Sequence, residues 1–173
     1  MKYLVLAMVS VALVFNTAAD EKAIENLVKE SVSVKSTLAA PDVTGKVFKG
    51  KFYSSETKID SGDYNVFRST SVVIGGKAKF LWQTSTDRDM KVLLSCVKDD
   101  FKLKSEQSIK DFENALDKIY PTSKFAKEKQ VIKAKDKIIF VRGKFFKKFK
   151  GFVVDIDSKG KIKSINYKLK IEN

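Results

Sequence analysis

Asp87 and Asp89 in "DRD", Asp99 and Asp100 in "KDD", and Asp155 and Asp157 in "DID" each set two carboxylates close together in the chain. Such pairs can divide general acid and general base work, or hold a hard cation through oxygen ligands. All three fall at strand ends or turns in the sequence pattern, where Asp is common because its side chain hydrogen-bonds the local backbone. "DIDSKG" also lacks the further oxygen ligands and the closing Glu of a calcium loop. The chain contains no His and one Cys, Cys96. That removes the usual activator of a nucleophile and the commonest zinc ligand, and with them Ser-His and Cys-His hydrolases and a standard zinc site. No catalytic residue, metal or cofactor is therefore assigned, and the expectation is a protein that is not an enzyme.

Recognition chemistry is better represented than catalysis. "VRGKFFKKFKGFVV", Val141 to Val154, interleaves four Lys and one Arg with four Phe. Treated as one long strand, Ile139, Val141, Gly143, Phe145 and Phe149 share a face. Ile138, Phe140, Arg142, Lys144, Phe146, Lys148 and Lys150 share the other. Cations alternating with aromatic planes suit a groove for an anionic chain, charge meeting the head group or backbone and rings meeting bases or acyl tails. Lys133, Lys135 and Lys137 cluster at the preceding hairpin. In the last strand Ile165, Tyr167, Leu169 and Ile171 are expected to face the core, which leaves Lys161, Lys163, Lys168 and Lys170 outside. The predicted partner surface comprises Lys133, Lys135, Lys137, Arg142, Lys144, Phe146, Lys147, Lys148, Lys150, Lys161 and Lys163.

The charge distribution agrees. Residues 20–100 carry thirteen Lys and Arg against twelve Asp and Glu, whereas residues 101–173 carry twenty against nine. A one-sided field of that size concentrates anionic partners near the surface. Thirty-one of the basic residues are Lys and three are Arg. Base-specific and phosphate-specific recognition leans on the planar fork of Arg, so sequence-specific nucleic-acid binding is not expected. The expected partner is an anionic macromolecule, an anionic lipid or an acidic protein. The alternative is a carrier of a hydrophobic small molecule or lipid, with Phe48, Phe52, Phe67, Phe80 and Trp82 lining a cavity between sheet and helices.

The N-terminus sets the compartment expected. "MKYLVLAMVSVALVFNTAAD" has a Lys, an apolar run from Tyr3 to Phe15 and small residues at Thr17, Ala18 and Ala19. This is a secretory signal pattern, too short for a spanning helix, and implies cleavage after Ala19 and a secreted or periplasmic protein without a transmembrane segment. Residues 20–173 then form a single domain, with possible halves at 20–104 and 105–173. The lone Cys rules out a disulfide framework, so packing must supply stability.

The elements that position these residues read as α+β, two helices packed on antiparallel sheet, arranged either as tandem helix-plus-four-strand units or as one curved sheet around both helices. A helix from Asp20 to about Ala40 is predicted by Ile24, Leu27, Val28, Ser31, Val34 and Leu38, with Pro41 stopping it. Four strands follow: one around Phe48, Gly50 and Phe52, a hairpin turning at Gly75-Gly76, and "DMKVLLSCVKDD", where Met90, Val92, Leu94 and Cys96 share a buried face. "SEQSIKDFENALDKIYP" is a second helix, capped by Ser105 or Ser108, with Ile109, Phe112, Leu116 and Ile119 as its stripe. Four more strands complete the chain, the last two joined by a turn at "DSKG", Asp157 to Gly160.

Overall fold

A computed structural model describes residues 19–20, 22–24, 26, 37–38, 41–58, 66–83, 88–120, 129–145 and 148–171. The described elements are β1 (Thr37–Leu38), α1 (Pro41–Val47), β2 (Lys51–Lys58), β3 (Val66–Ile74), β4 (Lys77–Gln83), α2 (Met90–Cys96), α3 (Glu106–Ile119), β5 (Gln130–Lys133), β6 (Lys137–Phe145), β7 (Lys148–Ile156) and β8 (Ile162–Ile171). They form two antiparallel sheets, ordered β1-β2-β3-β4 and β5-β6-β7-β8. The class is α+β, as predicted. Among the described residues no helix is long and apolar enough to cross a membrane.

Helix α3 is the element around which the core assembles. Ser105 caps it: its hydroxyl accepts from the Ser108 N–H, and the Ser108 hydroxyl accepts in return from the Ser105 N–H. That closes two of the donors a helix start leaves open. Its stripe of Ile109, Phe112, Ala115, Leu116 and Ile119 is buried, and one core joins it to Phe48, Phe52, Val72 and Leu81 of the first half and to Ile138, Phe140, Phe152 and Val154 of the second. The Thr70 hydroxyl donates to the Ile119 carbonyl at 2.9 Å, tying β3 to the end of the same helix. A separate small cluster of Ile24, Tyr53 and Val73 covers the opposite face of the first sheet. There the Asp20 carboxylate accepts from Tyr53 Oη and Lys51 Nζ, each at 2.7 Å.

The hairpin at Gly75-Gly76 forms as predicted, with Ile74 opposite Lys77 and φ of 56° and 73° at the two glycines. Four other expectations are corrected. Residues 90–96 are helix α2, not a strand. Asp89 Oδ1 accepts from Val92 N at 2.9 Å, and the buried residues are Leu93 and Cys96, three apart. An apolar run this short satisfies both periods, and the cap decided between them. Second, the fourth strand of the first sheet is Thr37–Leu38, paired with Ser54 and Tyr53, so no helix extends to Ala40; residues 27–36 lie outside the described residues. Third, Pro41 begins α1 where it was expected only to end a helix, a position suited to a residue without an N–H. The strand foreseen around Phe48 begins only at Lys51.

The stretch Val141 to Val154 is also not one strand. It is a hairpin in which Val141 faces Gly151, Gly143 faces Lys150 and Phe145 faces Lys148, with a bulge between Val141 and Gly143. Two glycines make this possible. Gly143 takes φ 144°, and any Cβ on Gly151 would run into the Phe140 carbonyl oxygen across the pair. The extra residue at the bulge is Arg142.

Candidate functional site

The predicted cations separate into two groups at opposite ends of the second sheet. Asp136 O accepts from Ile156 N at 2.8 Å, which places the β5–β6 turn beside the β7–β8 turn. That end gathers Lys133, Lys135, Lys137, Lys161 and Lys163. The chain before α3 joins it, since Leu103 N donates to Gly160 O at 2.9 Å. Lys102 and Lys104 flank that bond. Lys135, Lys161 and Lys163 are exposed, and Lys133 reaches Glu106 Oε1 at 3.2 Å. Lys150 lies at the other end, half-buried. Lys144 and Lys148 are placed there by backbone register only, and Phe146 and Lys147 lie outside the described residues.

Arg142 belongs to neither group. The face on which alternation put Phe140 and Arg142 among cations is the core face of the sheet. Phe140 is fully buried against Phe112, their ring centroids 5.3 Å apart. Arg142 is 2% exposed, pairs through Nη1 with Asp117, and donates through Nη2 to the Tyr120 carbonyl at 3.0 Å. It closes the C-terminal end of α3, where open carbonyls attract a cation. Burial pushes its guanidinium down to about 10, while Glu113 and Tyr167 act in the opposite direction.

The residues predicted to line an apolar cavity are core components where they are described. Phe48 and Phe52 are each 1% exposed and their rings meet at 5.5 Å. Trp82 packs half-buried against the same core, Phe80 is half-buried outside it, and the Phe67 side chain lies outside the described residues. Four of the six paired acids serve local structure, and Asp87 lies outside the described residues. Asp89 caps α2, Asp99 reaches Lys49 at 3.6 Å, and Asp155 accepts from the Ser164 hydroxyl. Asp157 Oδ1 accepts from Lys159 N and Lys161 N, both at 2.8 Å, which holds its carboxyl below the usual range. Among the described residues no group of three His, Cys, Asp or Glu could hold a metal.

Cys96 is buried, as expected, though on a helix. Burial pushes its thiol up to about 11 from 9.0. The folded state thus holds the proton more tightly than the unfolded chain, so this group's contribution to stability is present below 9.0 and lost as pH rises toward 11. Iodoacetamide at pH 8 is expected to leave native protein unmodified and to label one site in 8 M urea, as read by intact mass. Rapid native labelling would mean that α2 opens readily.

Arg88 stood out in the sequence only as the residue between two Asp in "DRD". Its guanidinium carbon stands 3.8 Å from the Tyr167 ring centroid, 5.9 Å from that of Trp82 and 6.0 Å from that of Tyr120. An approach of 3.8 Å is a close cation–π stack. Tyr167 is in turn edge-on to Phe152 at 5.1 Å. Beside this stack a cleft of about 390 Å³ opens between α2 and β8, lined by Arg88, Met90, Asn166, Tyr167 and Leu169. Leu169 was expected to face the core, yet it is 72% exposed, because the β7–β8 register shifts between Phe149 and Gly151. Arg88 Nε and the Tyr120 hydroxyl are buried and find no hydrogen-bond partner among the described residues. Burial raises the Tyr120 phenol well above its ordinary value, so it remains a protonated donor. One signal for this site was present in the sequence: in a chain with thirty-one Lys and three Arg, an Arg stands out as a planar cation able to stack on a ring, as Arg88 does on Tyr167. No family model matches the chain, and no curated protein and no solved structure matches it.

Proposed function

We propose that the protein is an exported, non-enzymatic binding protein that engages an anionic partner through the lysine-rich end of its second sheet. The observation that carries this reading is the convergence of three chain segments there. The β5–β6 turn brings Lys135 and Lys137, the β7–β8 turn brings Lys161 and Lys163, and the approach to α3 brings Lys102 and Lys104. Two of the nearby acids are already engaged, Asp155 by Ser164 and Asp157 by the backbone of its turn. Exposed ammonium groups without an Arg fork favour diffuse attraction to an acidic polymer, anionic head groups or an acidic protein over readout of a fixed geometry. Arg142 has no part in this surface. The leader-like N-terminus supports export.

The triple variant Lys135→Glu, Lys161→Glu, Lys163→Glu is expected to elute from heparin at clearly lower salt than wild type. The slope of log affinity against log salt should fall by roughly 0.7–0.9 for each lysine that no longer neutralises an anionic group. These side chains are exposed, so the thermal midpoint should hold. Unchanged elution with an intact fold would remove this surface from the function. The second reading, a small-molecule carrier, is favoured by a different observation, the cleft at Arg88.

A further inference from the structure

We propose that the cleft between α2 and β8 binds a small anionic amphiphile, its acidic head on Arg88 and its apolar tail along Tyr167, Met90 and Leu169. The site is built from both chemistries. The Arg88 guanidinium carbon lies 3.8 Å from the Tyr167 ring centroid, and a guanidinium held over a ring can still offer N–H groups to a planar or tetrahedral anion. Among the described residues no carboxylate pairs with Arg88, and its Nε is buried without an acceptor. Arg88 lines the cleft, and a guanidinium without a carboxylate partner there can make charge-assisted hydrogen bonds to an incoming oxygen.

The apolar side is equally specific. Leu169 is a large hydrophobe left 72% exposed at the mouth of the cleft, next to half-buried Met90 and Tyr167. The cavity of about 390 Å³ is at the lower end of the range for small-molecule sites, which suits a single short chain better than a two-chain lipid. Carboxylate and phosphate heads share the chemistry that Arg88 recognises. The site is separate from the proposed lysine surface, lying further along β8 than Lys163, and does not depend on it.

Trp82 is the single Trp of the chain and sits 5.9 Å from the Arg88 guanidinium, so its emission reports on the site. Full-length protein titrated with dodecanoate, dodecyl phosphate and dodecanol, each below its aggregation limit, is expected to show saturable quenching or shift with one or both anions and much weaker response to the alcohol. Preference between the two anions identifies the head group. Arg88→Gln should weaken anion binding at least about tenfold, the loss typical of a charged hydrogen bond. Leu169→Asp, at an exposed position that folding does not need, should do the same by repulsion. The Lys135→Glu, Lys161→Glu, Lys163→Glu variant should bind as wild type. Absence of saturable binding, equal binding of dodecanol, or affinity that survives both Arg88→Gln and Leu169→Asp would overturn the proposal. Loss only in the triple lysine variant would do so too, by assigning anion binding to the other end of the sheet.

Discussion

Phe112→Ala is expected to cost about 3–5 kcal/mol of folding stability, the usual loss for a buried Phe. Phe112 is fully buried, and its ring meets Phe48 at 5.7 Å, Phe140 at 5.3 Å and Phe101 at 6.1 Å. Those three rings belong to three different parts of the chain. Phe48 follows α1, Phe101 lies in the link to α3, and Phe140 is in the second sheet. Removing the ring leaves a void that α3 can fill only by moving away from one of its partners, and packed interiors relax incompletely. Aromatic pairing adds to the loss beyond buried area. Urea denaturation should show the midpoint falling steeply with an unchanged slope in a single transition. A loss below about 1 kcal/mol would mean that the core re-forms around the smaller side chain, and that Phe112 does not join the two sheets energetically.

Asp117→Ala is expected to cost about 3 kcal/mol, toward the lower end for breaking a buried ion pair. The carboxylate is itself 27% exposed and also accepts from Lys129 Nζ at 3.1 and 3.2 Å. The damage falls on Arg142, whose side chain is 3% exposed and would keep a charge with only the Tyr120 carbonyl as close partner. Glu113 acts on the same guanidinium and limits the loss. Replacing both partners, Asp117→Leu with Arg142→Met, should recover most of the stability, because it removes the charge along with its counter-ion. A double variant no more stable than Asp117→Ala would show that the hydrogen bond to the helix end, and not the stranded charge, dominates.

Local signals were legible where chemistry acts within a few residues. Ser105 and the stripe from Ile109 to Ile119 are a cap and a period, and both act inside one helix. Gly75-Gly76 supplied the two positive φ angles that close the first hairpin. The turn at Asp157 to Gly160 was legible for the same reason, its Asp bonding backbone two and four residues on. "MKVLLSCV" was not, because a short run of nearly unbroken apolar character fits strand and helix alike. Its cap, Asp89, was visible only as half of an acidic pair.

The candidate sites divide in the same way. The excess of Lys in the second half, the absence of His, the α+β alternation and the turns that gather Lys133 to Lys137 and Lys161 to Lys163 could all be read from the chain before it folds. These are properties of composition and short-range backbone preference. The fate of the arginines and of Leu169 was settled by long-range packing instead. The β6 face that carries Phe140 and Arg142 packs inward against α3, and a register shift between β7 and β8 left Leu169 at the mouth of a cleft. Arg88 reached Tyr167 because α2 packs against β8, two elements far apart in the chain. Strand alternation predicts a face only while the register is unbroken, and a one-residue shift reverses every side chain beyond it.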